Sequence, residues 1–336
     1  MDIRSLSAKS LAGQRLMVGF DGTQFDSHLR YLIDTIKVGG IILFKRNIGT
    51  PEALRLLCRC VQDHAGACGQ PPLFIAIDQE GGSVARLTKP FTEFDGNSCM
   101  KSPADALRFA DITADELKRV GINMNFAPVL DVAPREIESI MASRSFGPDP
   151  EWVALMGETV IRRLQEKGIM AVAKHFPGIG RTILDSHLDL PVLEVSLPDL
   201  ETFDLLPFRR AIETDVAGVM LSHIHYPLID PHWPASLSPV IAGELLREQL
   251  NYNGVVMTDD LDMGAIVKHF GFESAIAQVM AADIDLFLIC HRSDRIEKGF
   301  ETILKQSARS QREEDRARAS VERILNLKRR FLSGTG

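Results

Sequence analysis

Residues 171–191, AVAKHFPGIGRTILDSHLDLP, hold the groups best suited to acid–base chemistry. A short apolar run, Ile169 to Ala173, ends in Lys174-His175, and Pro177-Gly178 signals a turn. Beyond Gly180 the chain runs to Asp185-Ser186-His187, and Pro191 closes the stretch. In an extended segment residues i and i+2 point the same way. Asp185 and His187 are then expected side by side, the carboxylate holding one imidazole nitrogen and leaving the other free. An imidazole with an ordinary pKa of about 6.5 can give a proton and later take one back near neutral pH. An isolated Asp-x-His is more often a piece of solvated loop, so the surroundings decide what this one does.

The elements that must position these groups are legible as eight apolar runs, at 15–20, 39–44, 72–77, 121–127, 169–173, 216–221, 254–258 and 284–290. Near-continuous apolar segments are what strands buried on both faces of a parallel sheet require. Helical patterns lie between them, among them 27–37, 51–63, 103–119, 150–167, 199–213 and 239–250. Thr50-Pro51, Ser102-Pro103 and Ser238-Pro239 read as helix starts, and Gly39, Gly121, Gly168 and Gly254 as helix C-caps before strands. Eight alternations of strand and helix predict an α/β fold, a (β/α)8 barrel of TIM type in a single domain over 1–336. A C-terminal helix, about 309–332, is expected to pack on it through Val321, Ile324, Leu325 and Phe331.

Polar residues follow the runs: Asp21, Lys45-Arg46, Asp78-Gln79-Glu80, Asp131, Lys174-His175, His223 and His225, Asp259-Asp260, and His291-Arg292. In a barrel these positions crowd onto the C-terminal face, where such folds carry their active sites. The longest connection, 131–150, contains Arg144, a planar fork that can grip a carboxylate or a hydroxyl pair, or pair with a neighbouring acid.

Bulk properties narrow the classes. The chain has 336 residues, 45% hydrophobic and 25% charged, with a net charge of −7, so neither nucleic acid nor an anionic membrane is an expected partner. No run reaches the roughly 18 apolar residues of a spanning helix, and the N-terminus lacks a signal-peptide core. The five cysteines form no C-x-x-C pair, as suits a reducing compartment. A cytoplasmic monomer is expected.

Three motifs converge: IDQEGGSVARL (77–87), KHFPGIGRTILDSHLDLP (174–191) and VVMTDDLDM (255–263). With them the chain resembles glycoside hydrolase family 3, specifically the single-domain bacterial β-N-acetylglucosaminidases of peptidoglycan recycling, over about residues 14–290. The resemblance implies a retaining exo-acting hydrolase with no cofactor or metal, whose partner is a small sugar substrate, an N-acetylglucosaminyl muropeptide. It makes Asp259 the nucleophile, His187 the acid/base and Asp185 its partner. Asp78, Arg86, Arg144, Lys174 and His175 would hold the terminal sugar. Asp260, beside the nucleophile, receives no role from it. Four places depart from the family pattern: Ile179 where a His is common, Arg181 where an Asp or Ala is, Ser83 in place of an Arg, and Met141-Ala142-Ser143 before Arg144.

Two other readings use the same residues. His223-x-His225 with Asp259 could form the ligand set of a metal-dependent hydrolase on a barrel. Ile179 and Arg181 would fit a sugar-binding barrel without turnover.

Overall fold

The computed structural model describes residues 3–186 and 188–333. All eight apolar runs form strands: β1 (Leu16–Val18), β2 (Gly40–Leu43), β3 (Phe74–Ile77), β6 (Met124–Asn125), β7 (Met170–Phe176), β8 (Gly218–Leu221), β9 (Val255–Asp260) and β10 (Leu286–Ile289). They close a barrel in the order β1-β10-β9-β8-β7-β6-β3-β2, with every neighbouring pair parallel. The (β/α)8 expectation holds. The fourth run is shorter than its apolar extent, and the fifth extends through Lys174 and His175 to Phe176.

Between β3 and β6 lies an antiparallel hairpin, β4 (Gln79–Gly81) with β5 (Val84–Ala85), which the run pattern did not foreshadow. Gly81 and Gly82 have φ of 90° and 59°, the left-handed region that a turn this tight needs. The hairpin sets Glu80 and Arg86 over the barrel mouth.

Alternation along the strands divides the core in two. Met17, Ile42, Phe74, Met170, Val172, Met257, Leu286 and Leu288 fill the barrel. Leu16, Val18, Ile41, Leu43, Ile75, Ile77, Val219, Phe287 and Ile289 point outward to the helices. The predicted starts cap as expected: Thr50 Oγ1 accepts from the Ala53 amide, Ser102 forms a capping box with Asp105, and Ser238 Oγ accepts from the Ile241 amide. Of the four predicted glycine caps, Gly121 and Gly168 adopt left-handed φ. At the other two turns Lys37 and Asn251 carry it instead. Gly39 is needed for space: a Cβ there would lie 2.1 Å from the Gln14 carbonyl oxygen.

The helix Gln311–Leu332 crosses the N-terminal end of the barrel and plugs it. Its Ile324, Leu327 and Leu332 join the interior cluster. Lys328 reaches farther in: Nζ donates to Gln14 Oε1 at 2.7 Å and to the Gly39 carbonyl at 2.8 Å, and lies 4.9 Å from the Phe74 ring centroid. Burial pulls this ammonium down to about 7, while the two oxygens and the ring face favour its charge.

Candidate active site

At the C-terminal mouth, Lys174 from β7 is buried between two acids. Its Nζ lies 2.8 Å from Asp78 Oδ1 and 2.6 Å from Glu80 Oε1. Arg86 donates to Asp78 Oδ2 at 3.0 Å. Arg144 grips Glu80 with both arms of its fork, Nε to Oε2 at 2.9 Å and a terminal nitrogen to Oε1 at 2.8 Å. The structure therefore brings Asp78, Arg86, Arg144 and Lys174 into one network. Lys174 stands at its centre, and Glu80, which links Lys174 to Arg144, is not among the site residues expected from the sequence, although the motif at 77–87 contains it. Burial alone would raise the Asp78 carboxyl, but Lys174 and Arg86 more than offset it and hold it well below the usual range. Glu80 is lowered by the same contest, with Lys174 and Arg144 prevailing over burial.

His175, next on β7, is fixed by a second unexpected acid. Asp131 is fully buried and accepts three bonds: from His175 Nδ1 at 2.7 Å, from the His175 amide at 3.2 Å and from the Ile179 amide at 2.8 Å. A carboxylate only accepts, so Nδ1 carries a proton and Nε2 is the atom left to face a ligand. The main chain at Ile179 thus has a defined job, whatever its side chain. The Lys174-His175 and Phe176-Pro177 peptides are both cis.

Asp259, near the end of β9, is partly open to the mouth, and its Oδ1 accepts the Asp260 amide at 2.8 Å. Burial pushes its carboxyl up. His223, His175, the Asp260 amide and Lys174 pull it down further, so the group stays ionised. The two histidines contribute more than Lys174. Asp260 faces elsewhere. Its Oδ1 accepts the Asp262 and Cys290 amides and its Oδ2 lies 2.7 Å from His291 Nδ1, which ties β9 to the end of β10.

His187 lies outside the described residues. Asp185 is partly buried, and its carbonyl accepts the Leu188 and Asp189 amides at 2.9 and 3.2 Å. The Ser186 carbonyl accepts the Ala265 amide at 3.1 Å, which docks this loop on the segment following Asp259. Near its start, Gly180 lies against Val132, where a Cβ would come within 1.9 Å of the carbonyl oxygen. Arg181, one of the departures, reaches Asp204 Oδ2 at 3.0 Å and stacks 4.7 Å from the Phe203 ring centroid. The Asp204 carboxyl is wholly buried, and its burial outweighs the guanidinium, pushing its pKa up to about 7.

Around the mouth, Ile183, Leu188, Val192 and Leu228 are all more than half exposed. They belong to the loops after β7 and β8 and give the rim an apolar edge that composition did not disclose. The two histidines of the metal-hydrolase reading are engaged otherwise: His223 Nε2 faces the Asp260 carbonyl at 2.9 Å and His225 Nε2 the Asp230 carbonyl at 3.1 Å. Among the described residues, neither group of converging metal-type donors includes His223, His225 or Asp259.

Residues 8–327 match the glycosyl hydrolase family 3 N terminal domain, and the chain belongs to that family. It is a glycoside hydrolase, of the branch whose curated members carry the name β-hexosaminidase. The relative from Alkalilimnicola ehrlichii is 37% identical over 290 residues, 84% of this chain and 82% of its own. That from Pseudomonas aeruginosa is 34% identical over 280 residues, 82% of each chain. The structure of a family 3 β-N-acetylglucosaminidase from a Paenibacillus species superposes with a TM-score of 0.94 at 38% identity, covering 99% of this chain. This chain spans 64% of that longer one. A β-N-acetylhexosaminidase from Beutenbergia cavernae gives 0.89 at 28% identity and covers 96% of this chain and 99% of its own. Among the described residues no helix is long and apolar enough to cross a membrane.

Proposed function

We propose that this hydrolase is a retaining exo-β-N-acetylglucosaminidase that removes terminal non-reducing N-acetylglucosamine from cell-wall muropeptides, as a cytoplasmic monomer. The observation that carries the reading is the placement of Asp259: a carboxylate near the end of β9, partly open to the mouth, whose pKa His223, His175, the Asp260 amide and Lys174 hold down against burial. Such a group can attack the anomeric carbon as the glycosidic bond breaks and form a covalent glycosyl ester. Asp78, Arg86, Arg144, Lys174 and His175 hold the sugar. Because each is already held by a charged partner, Arg144 by Glu80, His175 by Asp131 and Asp78 by Lys174 and Arg86, little reorganisation is needed when hydroxyl groups replace water at their free edges. His187, assisted by Asp185, protonates the leaving oxygen and later takes a proton from the attacking water. The apolar rim at Ile183, Leu188 and Leu228 gives the leaving group a surface to lie on.

The test is the anomeric course of hydrolysis. Proton NMR of an aryl N-acetyl-β-glucosaminide reaction should show the β-anomer of N-acetylglucosamine first, followed by mutarotation. First appearance of the α-anomer would rule out the covalent route. Parallel digestion of anhydro-muropeptides and chitobiose should favour the muropeptide, and a preference for chitobiose would reassign the natural aglycone.

A further inference from the structure

At the opposite, N-terminal side of the barrel, three unlike donors meet. His64 and Cys68 stand four residues apart at the end of the helix Pro51–Ala67, a spacing that puts both on one face. Asp34 comes from the helical segment Leu32–Ile36 that leads into β2. Asp34 Oδ1 lies 2.6 Å from His64 Nε2 and 3.0 Å from Cys68 Sγ, and the sulfur lies 3.7 Å from His64 Nε2. One carboxylate oxygen, one imidazole nitrogen and one sulfur thus form a closed triangle. Cys68 and Asp34 are exposed and His64 is half-buried, so an ion can enter without the fold opening.

We propose that Asp34, His64 and Cys68 form a Zn2+ site, distinct from the sugar site, with water as the fourth ligand. A tetrahedral Zn2+ bound at about 2.3 Å to sulfur and about 2.0–2.1 Å to nitrogen and oxygen sets its donors roughly 3.4–3.6 Å apart. The sulfur–nitrogen side, 3.7 Å, is already within about 0.1 Å of that range. The two short sides share a single atom, Asp34 Oδ1. Moving it outward by roughly 0.6–0.8 Å, within reach of rotation about the Asp34 side chain, completes the geometry. Two ligands at i and i+4 on a helix with a third from a neighbouring element is a chelate that helices build readily.

The backbone is already in register for it. Gln70, just past Cys68, donates its side-chain amide to the Ile33 carbonyl beside Asp34. His64 packs on Phe25 at 5.1 Å between centroids, which fixes the ring plane. On binding, the Cys68 thiol gives one proton to solvent as the Zn–S bond forms, and the Nε2 proton that His64 shares with Asp34 in the metal-free protein leaves that nitrogen, through solvent, with Nδ1 keeping one proton, so that Nε2 can offer its lone pair. The resulting thiolate and carboxylate balance the two charges of the ion. The ion then fastens the first crossover segment of the barrel to the second.

The test uses the full chain freed of metal and titrated with Zn2+ and Co2+. Wild type should take up Zn2+ at this site, and Co2+ should give the near-ultraviolet thiolate-to-metal band and tetrahedral visible bands. Cys68→Ser should abolish the thiolate band. His64→Gln and Asp34→Asn should weaken Zn2+ binding by more than about 100-fold, the upper range for losing an outer partner alone. Zn2+ should raise the thermal midpoint of wild type and not of Cys68→Ser, with kcat/KM for an aryl glycoside unchanged in both. Cys68 and Asp34 are exposed, so metal-free Cys68→Ser and Asp34→Asn should melt like wild type. No thiolate band in wild type, or a band or midpoint shift that survives Cys68→Ser, overturns the proposal, since Cys60 and Cys99 are also accessible.

Discussion

His175 Nδ1 lies 2.7 Å from Asp131 Oδ2, and the same carboxylate also receives the His175 and Ile179 amides. One buried acid therefore orients an imidazole and shapes the turn leading to Asp185. Asp131→Asn keeps the volume but removes the charge and puts an amide nitrogen where an acceptor stood. Steady-state kinetics on an aryl N-acetylglucosaminide should show kcat/KM lower by roughly 10- to 100-fold. Unchanged kinetics would mean that His175 does not meet the sugar.

Lys174 and Arg144 should fail differently. Lys174 neutralises Asp78 and Glu80 inside the protein, so Lys174→Ala leaves two carboxylates short of a counter-charge. We expect a loss of about 3–5 kcal/mol in chemical denaturation, in addition to lost activity. Arg144 is more open to solvent and Lys174 still pairs with Glu80 without it. Arg144→Ala should therefore cost activity, by roughly 10²-fold in kcat/KM, more than stability. The reverse pattern would place Arg144 in the framework instead of at the sugar.

Asp204 predicts a pH effect on stability. Its folded pKa, about 7, lies above the ordinary value of 3.8, so the folded state holds the proton more tightly than the unfolded chain. The associated stability is full below about pH 4 and is lost as pH rises through 7. Asp204→Asn stays neutral throughout. Relative to that variant, wild type should lose on the order of 2–4 kcal/mol between pH 4 and 8, measured by urea unfolding at each pH. A difference that is flat or opposite in sign would show that Arg181 keeps Asp204 ionised.

How far the sequence alone reaches follows from what kind of order each feature has. The eight strands are legible because both faces of each are buried, which leaves an unbroken apolar run. The hairpin Gln79–Ala85 is not, since polar residues and glycines carry no periodicity. The mouth residues are legible as polar groups after strands, but their partners are not. Glu80 stands within a quoted motif and Asp131 within the polar set, yet only the barrel's closure brings them to Arg144 and His175. Asp204 gives no signal, being one acid within an amphipathic helical pattern. Lys328 hides in the same way among the surface charges of the last helix, although it enters the barrel floor.

His187 is the expected acid/base, and the leaving group tests it. An aryl group with an acidic conjugate departs with little protonation, so glycosylation should survive His187→Ala and a burst of phenolate should precede slow deglycosylation. For chitobiose or a muropeptide the loss should be on the order of 10²–10⁴-fold. Asp185→Ala should follow the trend more mildly, with the basic limb of the pH profile moved to lower pH. Equal losses for good and poor leaving groups, with no burst, would direct the search to another proton donor.

Asp259 should become covalently attached to the sugar during turnover, and trapping measures this directly. Incubation with a 5-fluoro N-acetylglucosaminyl fluoride should inactivate the enzyme with time, and peptide mass spectrometry should find one glycosyl adduct within 255–263, on Asp259. Asp259→Ala should take up none. An adduct on any other peptide, or full inactivation with Asp259 unmodified, would contradict the account.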